Sequence, residues 1–220
     1  MSINGRLIED SRYVVWRFKG ELLKANHYLV LDKQTDKLFA IDTGFGDSAL
    51  TEIMNVTGSR LSAIYLTHGH FDHAGGAAHI AERYSCPIFL RSDDLRTLRS
   101  SNFLLKVFGY ETSMRLPEVE LVGENFTNDG VRFLDCPGHT PGSVVIQIGG
   151  FLFTGDSVYA DRIDEVKLPD QNDMKLYASI RRILSDLVNA ERIFPGHGSD
   201  IRGADLLSSN SELSMKLNQN

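Results

Sequence analysis

The chain has 220 residues, 42% of them hydrophobic and 24% charged, proportions that suit a soluble globular protein with a real core. A net charge of −6 and a pI near 5.6 give no basic footprint for nucleic acid or an anionic membrane surface. No stretch reaches the length of a membrane span, the N-terminus lacks a charged start with an apolar run behind it, and two cysteines are too few for a disulfide framework. A cytoplasmic protein with buried thiols at Cys86 and Cys136 is expected.

Apolar residues are dense over 13–18, 27–31 and 38–41, with polar turns between, which reads as a meander of strands ending on Asp42-Thr43-Gly44. Asp47 is placed to cap a helix whose apolar stripe passes through Leu50, Ile53, Met54 and Val56 and stops at Gly58. A buried strand over 61–66 comes next, then a helix over 77–84 and a strand over 86–90. Between 91 and 130 the pattern degrades, apart from an amphipathic stretch over 95–107, and this region is expected to be a cap. Strands over 131–136, 144–148 and 151–153 succeed it, the last two joined by Gly149-Gly150. A helix over 174–188 carries Leu176, Ile180, Ile183, Leu184 and Leu187 on one face. The Ser- and Asn-rich tail, 206–220, is expected to be partly helical or frayed. Length admits one large domain or two small ones; a single domain over 1–220 is the expectation.

Chemistry gathers where apolar strands end. Thr67-His68-Gly69-His70-Phe71-Asp72-His73-Ala74-Gly75-Gly76 packs three histidines and a carboxylate into six positions, the donor types that suit zinc and other borderline divalent ions. His68 and His70, two apart on extended chain, can point towards one ion while Asp72 and His73 face a second position. The same event recurs at Pro137-Gly138-His139, at Thr154-Gly155-Asp156 and at Pro195-Gly196-His197-Gly198. Five of the seven histidines sit in these turns. His27 and His79 lie outside them and read as ordinary strand and helix residues.

The combination resembles the metallo-β-lactamase superfamily, whose pattern is H-x-H-x-D-H, then G-H, then an acid after a strand, then a final G-H. The likeness runs from about Leu29 to His197, and Asp42-Thr43-Gly44 is similar to that family's early D-x-G turn. It implies a four-layer αβ/βα sandwich with a dinuclear site: His68, His70 and His139 on one metal, Asp72, His73 and His197 on the second, and Asp156 bridging. Two divalent ions are implied, zinc first, with iron or manganese as alternatives. Such a pair can share a hydroxide and polarise a substrate carbonyl, with Asp72 orienting the hydroxide or taking its proton, so no serine or cysteine nucleophile is needed.

Asp156 stands where a β-lactamase proper usually has cysteine or serine, which points to the wider hydrolase branch. Glyoxalase II-like thioester hydrolases share the ligands and the T-G-D and P-G-H-G turns, and a small-molecule thioester or ester is the expected substrate. The segment 159–170 departs from the glycine- and arginine-containing loop of those enzymes, and little chain comes after His197 where their glutathione-binding helices stand. Acyl-homoserine lactonases are the alternative: His70-Phe71-Asp72-His73-Ala74-Gly75-Gly76 is similar to theirs, and Tyr159 sits three residues past Asp156, where they place a tyrosine that holds a carbonyl or leaving group. A tyrosine packed under the turn reads equally well. From another class, a persulfide dioxygenase would use a single iron held by two histidines and an aspartate, leaving the second-site residues idle. RNA-processing members share the ligand set, but the acidic balance and the lack of a basic arm oppose that reading. A non-catalytic binding role would go with lost ligands, and none is lost.

Overall fold

The apolar runs at the N-terminus form an antiparallel meander because each is short, rich in β-branched and aromatic residues, and closed by a polar turn. The computed structural model describes residues 6–46, 48–162, 168 and 170–218. Asp47, the expected cap, and half of the departing loop, 163–167 and 169, lie outside the described residues. The chain divides into two compact units, Met1–Leu90 with Leu95–Leu121, and Arg91–Asp94 with Val122–Asn220.

In the first unit, β1 (Arg6–Glu9), β2 (Tyr13–Lys19), β3 (Asn26–Asp32) and β4 (Lys37–Ile41) run antiparallel in chain order. β1 has no counterpart among the expected strands. Arg12 closes the mouth of the β2–β3 hairpin, its Nε and Nη2 donating to the Asp32 carboxylate at 3.1 and 2.7 Å. That guanidinium holds the carboxyl below its usual range. After α1 (Ser48–Thr57), β5 (Arg60–Tyr65) and β6 (Ile88–Arg91) join in parallel, and β7 (Glu120–Val122) completes a seven-stranded sheet in the order β1 to β7. Gly58 stops α1 as expected, its N–H on Met54 and its φ at +71. Leu50 and Ile53 are buried, but Val56, placed on the stripe by its spacing, is exposed. β5 is buried from Ala63 through Leu66 on both faces, as parallel strands between covering layers are.

The region 91–130 is more regular than its sequence pattern implies. α2 (Phe71–Ala74) and α3 (Ala77–Tyr84) precede it, and α4 (Leu95–Val107) fills the amphipathic stretch. Leu98 and Leu105 of α4, and Met114 beyond it, lie in the first unit's core cluster. Phe103 and Val107 on the same helix stand 67% and 63% exposed.

In the second unit β8 (Thr127–Asn128), β9 (Val131–Asp135), β10 (Val144–Ile148), β11 (Phe151–Gly155) and β12 (Arg192–Pro195) form a five-stranded sheet in the order β12-β11-β10-β9-β8. β9, β10 and β11 pair antiparallel, the last two through Gly149-Gly150, and β12 lies parallel to β11 with Phe153 stacked on Phe194. The single helix expected over 174–188 is two, α5 (Asp173–Arg182) and α6 (Leu184–Asn189), parted at Ile183, whose φ and ψ of −102 and 12 leave the helical region. Leu176, Ile180, Ile183 and Leu187 are all buried. The tail is helical, as α7 (Leu206–Ser209) and α8 (Ser211–Asn218), and Leu206 and Leu213 are core residues at 0% and 2% exposure. Among the described residues no helix is long and apolar enough to cross a membrane.

Both cysteines are thiols, Cys136 buried and Cys86 half-buried. Burial pushes Cys136 up to about 12 and Cys86 up to about 11. At pH 8 both residues are then overwhelmingly in the thiol form. Native protein mixed with a thiol-reactive chromophore at pH 8 should label neither residue within minutes, whereas protein in denaturant labels both at once. Rapid stoichiometric labelling of the native protein would contradict this burial.

Candidate metal centre

β4 and β5 end side by side, and one carboxylate organises the turns that leave them. Asp42 sits immediately after β4 at a φ of +55, a left-handed conformation that aspartate tolerates better than bulkier residues. Its Oδ1 accepts Thr67 N–H at 2.8 Å, and its Oδ2 accepts the Thr67 hydroxyl and lies 2.8 Å from Nδ1 of His73. Thr67 has a single hydroxyl proton and gives it to Asp42. Its Oγ1 therefore accepts from His68 Nδ1, 3.0 Å away. Both rings are thus fixed with the proton on Nδ1 and Nε2 left as a lone-pair donor, the tautomer a metal ligand needs.

The backbone repeats the constraint. Thr43 N–H donates to His73 O and Gly76 N–H to Thr43 O, both at 2.7 Å, lacing the D-x-G turn to α2. Ser101 of α4 donates to Gly69 O, and a Cβ on Gly69 would meet Leu98 N at 2.6 Å, so only glycine fits between His68 and His70. His68, His70, Asp72 and His73 are 1%, 5%, 5% and 0% exposed. The His68 ring centroid lies 4.7 Å from that of His70 and 4.2 Å from that of His73. Nε2 of His73 stands 3.6 Å from Asp72 Oδ2.

His27 belongs to this scaffold, although its sequence context gave no reason to single it out. Its Nε2 accepts Gly44 N–H at 2.9 Å, which holds the D-x-G turn against β3, and the same nitrogen lies 3.1 Å from Asp72 O. Burial lowers it to about 4, so the ring is neutral. His79, by contrast, is an exposed residue of α3.

The second unit places its three donors by close backbone approach. Gly138 has a φ of +151 and a Cβ there would meet Leu176 backbone at 2.3 Å, so α5 packs directly on the turn before His139. Asn172 N–H donates to Gly138 O at 2.7 Å, and Gly142 N–H donates to the buried carboxylate of Asp94 at 2.9 Å. Gly196 N–H donates to Gly155 O at 2.7 Å, tying the turn that carries His197 to the one that carries Asp156. Oδ2 of Asp156 consequently stands 3.7 Å from His139 Nε2 and 3.5 Å from His197 Nε2. Tyr159 is buried, with the Arg162 guanidinium 5.3 Å from its ring centroid.

These separations test whether the donors fit a metal. Two ligands each about 2.1 Å from a tetrahedral zinc lie roughly 3.4 Å apart, whereas a charge-assisted hydrogen bond is about 2.7–2.9 Å. The three His–Asp pairs, at 3.5 to 3.7 Å, match ligands that share an ion. The candidate ligand atoms of His68 and His70, His68 and His73, and Asp72 and His73 also lie within 4.8 Å of one another. The His/Asp clusters fit metal sites.

Residues 21–197 match the metallo-beta-lactamase superfamily. The chain belongs to that superfamily. Among its relatives in the superfamily is "Probable metallo-hydrolase MJ0888" of Methanocaldococcus jannaschii, 28% identical over 197 residues, covering 84% of this chain and 93% of that one. A hydroxyacylglutathione hydrolase of Alkalilimnicola ehrlichii is 29% identical over 79% of this chain, which spans 62% of that enzyme's length. Of solved structures, TTHA1623 in a di-iron-bound form aligns with a TM-score of 0.78 and 30% identity, over 88% of this chain and 98% of that one. BLEG-1 B3 metallo-beta-lactamase aligns with a TM-score of 0.80 and 24% identity, over 91% and 99%. The expected α/β fold class is the one found, two mixed sheets with helices.

Asp42→Asn keeps the size and the left-handed backbone but replaces one acceptor with a donor facing Thr67 and His73. Metal affinity should fall roughly 10- to 100-fold, read by competition against a chromogenic chelator, with little change in far-UV circular dichroism. Equal affinity in both proteins would mean that Asp42 does not set the His73 tautomer.

Proposed function

We propose that the chain is a dinuclear metallo-hydrolase of a small-molecule thioester or ester. Under this reading His68, His70 and His139 would hold one ion, Asp72, His73 and His197 would hold the other, and Asp156 would serve both. The observation that carries it is Asp156, one oxygen of which faces two histidines at 3.5 and 3.7 Å, as a bridging carboxylate would. Zinc is the metal favoured by the donor set, with iron or manganese as alternatives; the di-iron-bound form of TTHA1623 supports iron. A divalent ion held there supplies Lewis acidity, lowering the pKa of bound water towards 7 and polarising a carbonyl oxygen.

The chain's own groups do the rest. Asp72, at the start of α2, would orient the attacking water and take its proton. Asp156 sets the spacing of the site. Tyr159 is the candidate for steadying the carbonyl or leaving group, the role that a lactone-opening enzyme would also ask of it. A net charge of −6 supports a small-molecule substrate over nucleic acid, and a cytoplasmic location is part of the same reading.

The cap reading of 91–130 narrows to the exposed side of α4, since Leu98 and Leu105 are core. Phe103 and Val107 face outwards on that helix, and Phe108, 38% exposed, packs its ring 5.8 Å from Phe71 of the metal-binding motif. Serine at Phe103 and Val107 should alter selectivity across an ester, thioester and lactone panel at unchanged metal content. Unaltered selectivity with a large fall in thermal stability would make this face structural.

Asp156→Asn is expected to lower thioester or lactone turnover at least roughly a hundredfold, about 2.7 kcal/mol of barrier, with weakened binding of one ion and a modest thermal shift. Protein purified without chelator should carry close to two equivalents of metal. A stable single equivalent, or oxygen consumption on a persulfide with no hydrolysis by the zinc or manganese form, would overturn the reading.

A further inference from the structure

Beside the turn that carries His139 lies a cleft of about 440 Å³, built entirely from the second unit and within the size range of small-molecule sites. None of the candidate metal donors lines it, and its lining includes three arginines and four acids. Arg91, 7% exposed, is already committed. Its Nε donates to Asp135 Oδ1 at 2.8 Å and its Nη1 to Val122 O at 3.3 Å, while Nη2 lies 3.0 Å from Asp93 Oδ2 and 3.7 Å from Glu124 Oε1. That buried guanidinium compensates Asp93 and Asp135. Arg182 and Arg132 are exposed and differ from it. Nη2 of Arg182 donates to Ser179 Oγ at 3.1 Å, a buried hydroxyl that itself donates to Pro137 O at 2.9 Å. Nη1 of Arg132 donates to Gln147 Oε1 at 3.3 Å. Among the described residues neither guanidinium has a carboxylate partner, and Asp186 has no cationic one.

The charges left open on the cleft are therefore of both signs. A simple anion drawn to Arg132 and Arg182 also meets Asp186 and Glu124, and a simple cation drawn to those acids meets the two guanidinia, so for either one repulsion offsets attraction. A dipolar ligand satisfies both sets, its carboxylate on a guanidinium and its ammonium on a carboxylate. We propose that this cleft is a second ligand site, separate from the metal centre, for a small zwitterion: a carboxylate and an amine joined by a short stem, as in an amino acid or short peptide. No candidate metal donor takes part, so the site is independent of the hydrolase reading above. A cleft of merely solvated surface charges would bind zwitterion, acid and amine equally weakly.

The test titrates the zinc-loaded full chain with alanine, 4-aminobutyrate and 6-aminohexanoate, each against the carboxylic acid and the amine of the same chain length. Binding is read by heteronuclear NMR, which also locates it. At least one zwitterion should bind about tenfold or more tighter than its matching acid or amine, as one lost charge-assisted hydrogen bond implies. Its amide shifts should centre on 132–135 and 179–186 rather than on 67–73. The double variant Arg132→Gln with Arg182→Gln should weaken the zwitterion about tenfold, to the level of the amine. Glu124→Gln with Asp186→Asn should bring it to the level of the acid. None of these four residues belongs to the second unit's core cluster, so thermal unfolding should stay nearly unchanged in both variants. Binding of no zwitterion below about 10 mM, shifts centred on 67–73, or unchanged affinity in either double variant would overturn the proposal.

Discussion

Asp42 is the constraint on which the candidate metal-binding face of the first unit depends. A buried carboxylate must be compensated by hydrogen bonds or charge, and this one collects Thr67 N–H, the Thr67 hydroxyl and the His73 ring. Those partners belong to the end of β5 and to α2, so satisfying the carboxylate aligns three segments at once. The same bonds decide the proton position on His68 and His73. Folding and the fixing of these two imidazoles are here one event, and the left-handed φ of Asp42 is a strain of order 1–3 kcal/mol that the surrounding contacts hold in place.

The second unit solves the same problem mainly with its backbone, helped by one buried acid, Asp94. Its three donors sit on turns fixed by backbone contact: Gly138 against Leu176, Gly142 against Asp94, Gly196 against Gly155. Glycine recurs because a side chain at Gly138 or Gly142 would occupy space already taken by a helix or an acidic turn. Precision comes from close packing together with these hydrogen bonds, and Asp156 Oδ2 faces two histidines.

Much of this was legible in the sequence because metal donors at strand ends are both compositionally unusual and regularly flanked by glycine. The strands over 13–41 and 131–153 announced themselves by alternation and polar turns. β1, β7 and β8 did not, being two to four residues long and too short for periodicity to register. The tail misled in part, since Ser and Asn bias reads as fraying until Asn210 is seen bonding Tyr159, Arg162 and Leu213. Thr67, Asp94 and His27 do their work through partners 25, 48 and 17 positions away. No local pattern encodes such pairs.

The thiol and hydroxyl groups beside the donors bear on where a nucleophile could come from. Cys136 precedes Pro137 in the turn that carries His139, but full burial raises its thiol to about 12, so the thiolate is scarce at neutral pH. Ser143 and Thr140 share a 2.7 Å hydrogen bond, and Ser143 Oγ also accepts Thr140 N–H. Thr67 gives its proton to Asp42. Each of these groups is committed to shaping a turn that carries a candidate ligand. Under the proposed reading the nucleophile is therefore water, and the protein's contribution is to hold donors of fixed protonation where that water can be oriented by Asp72.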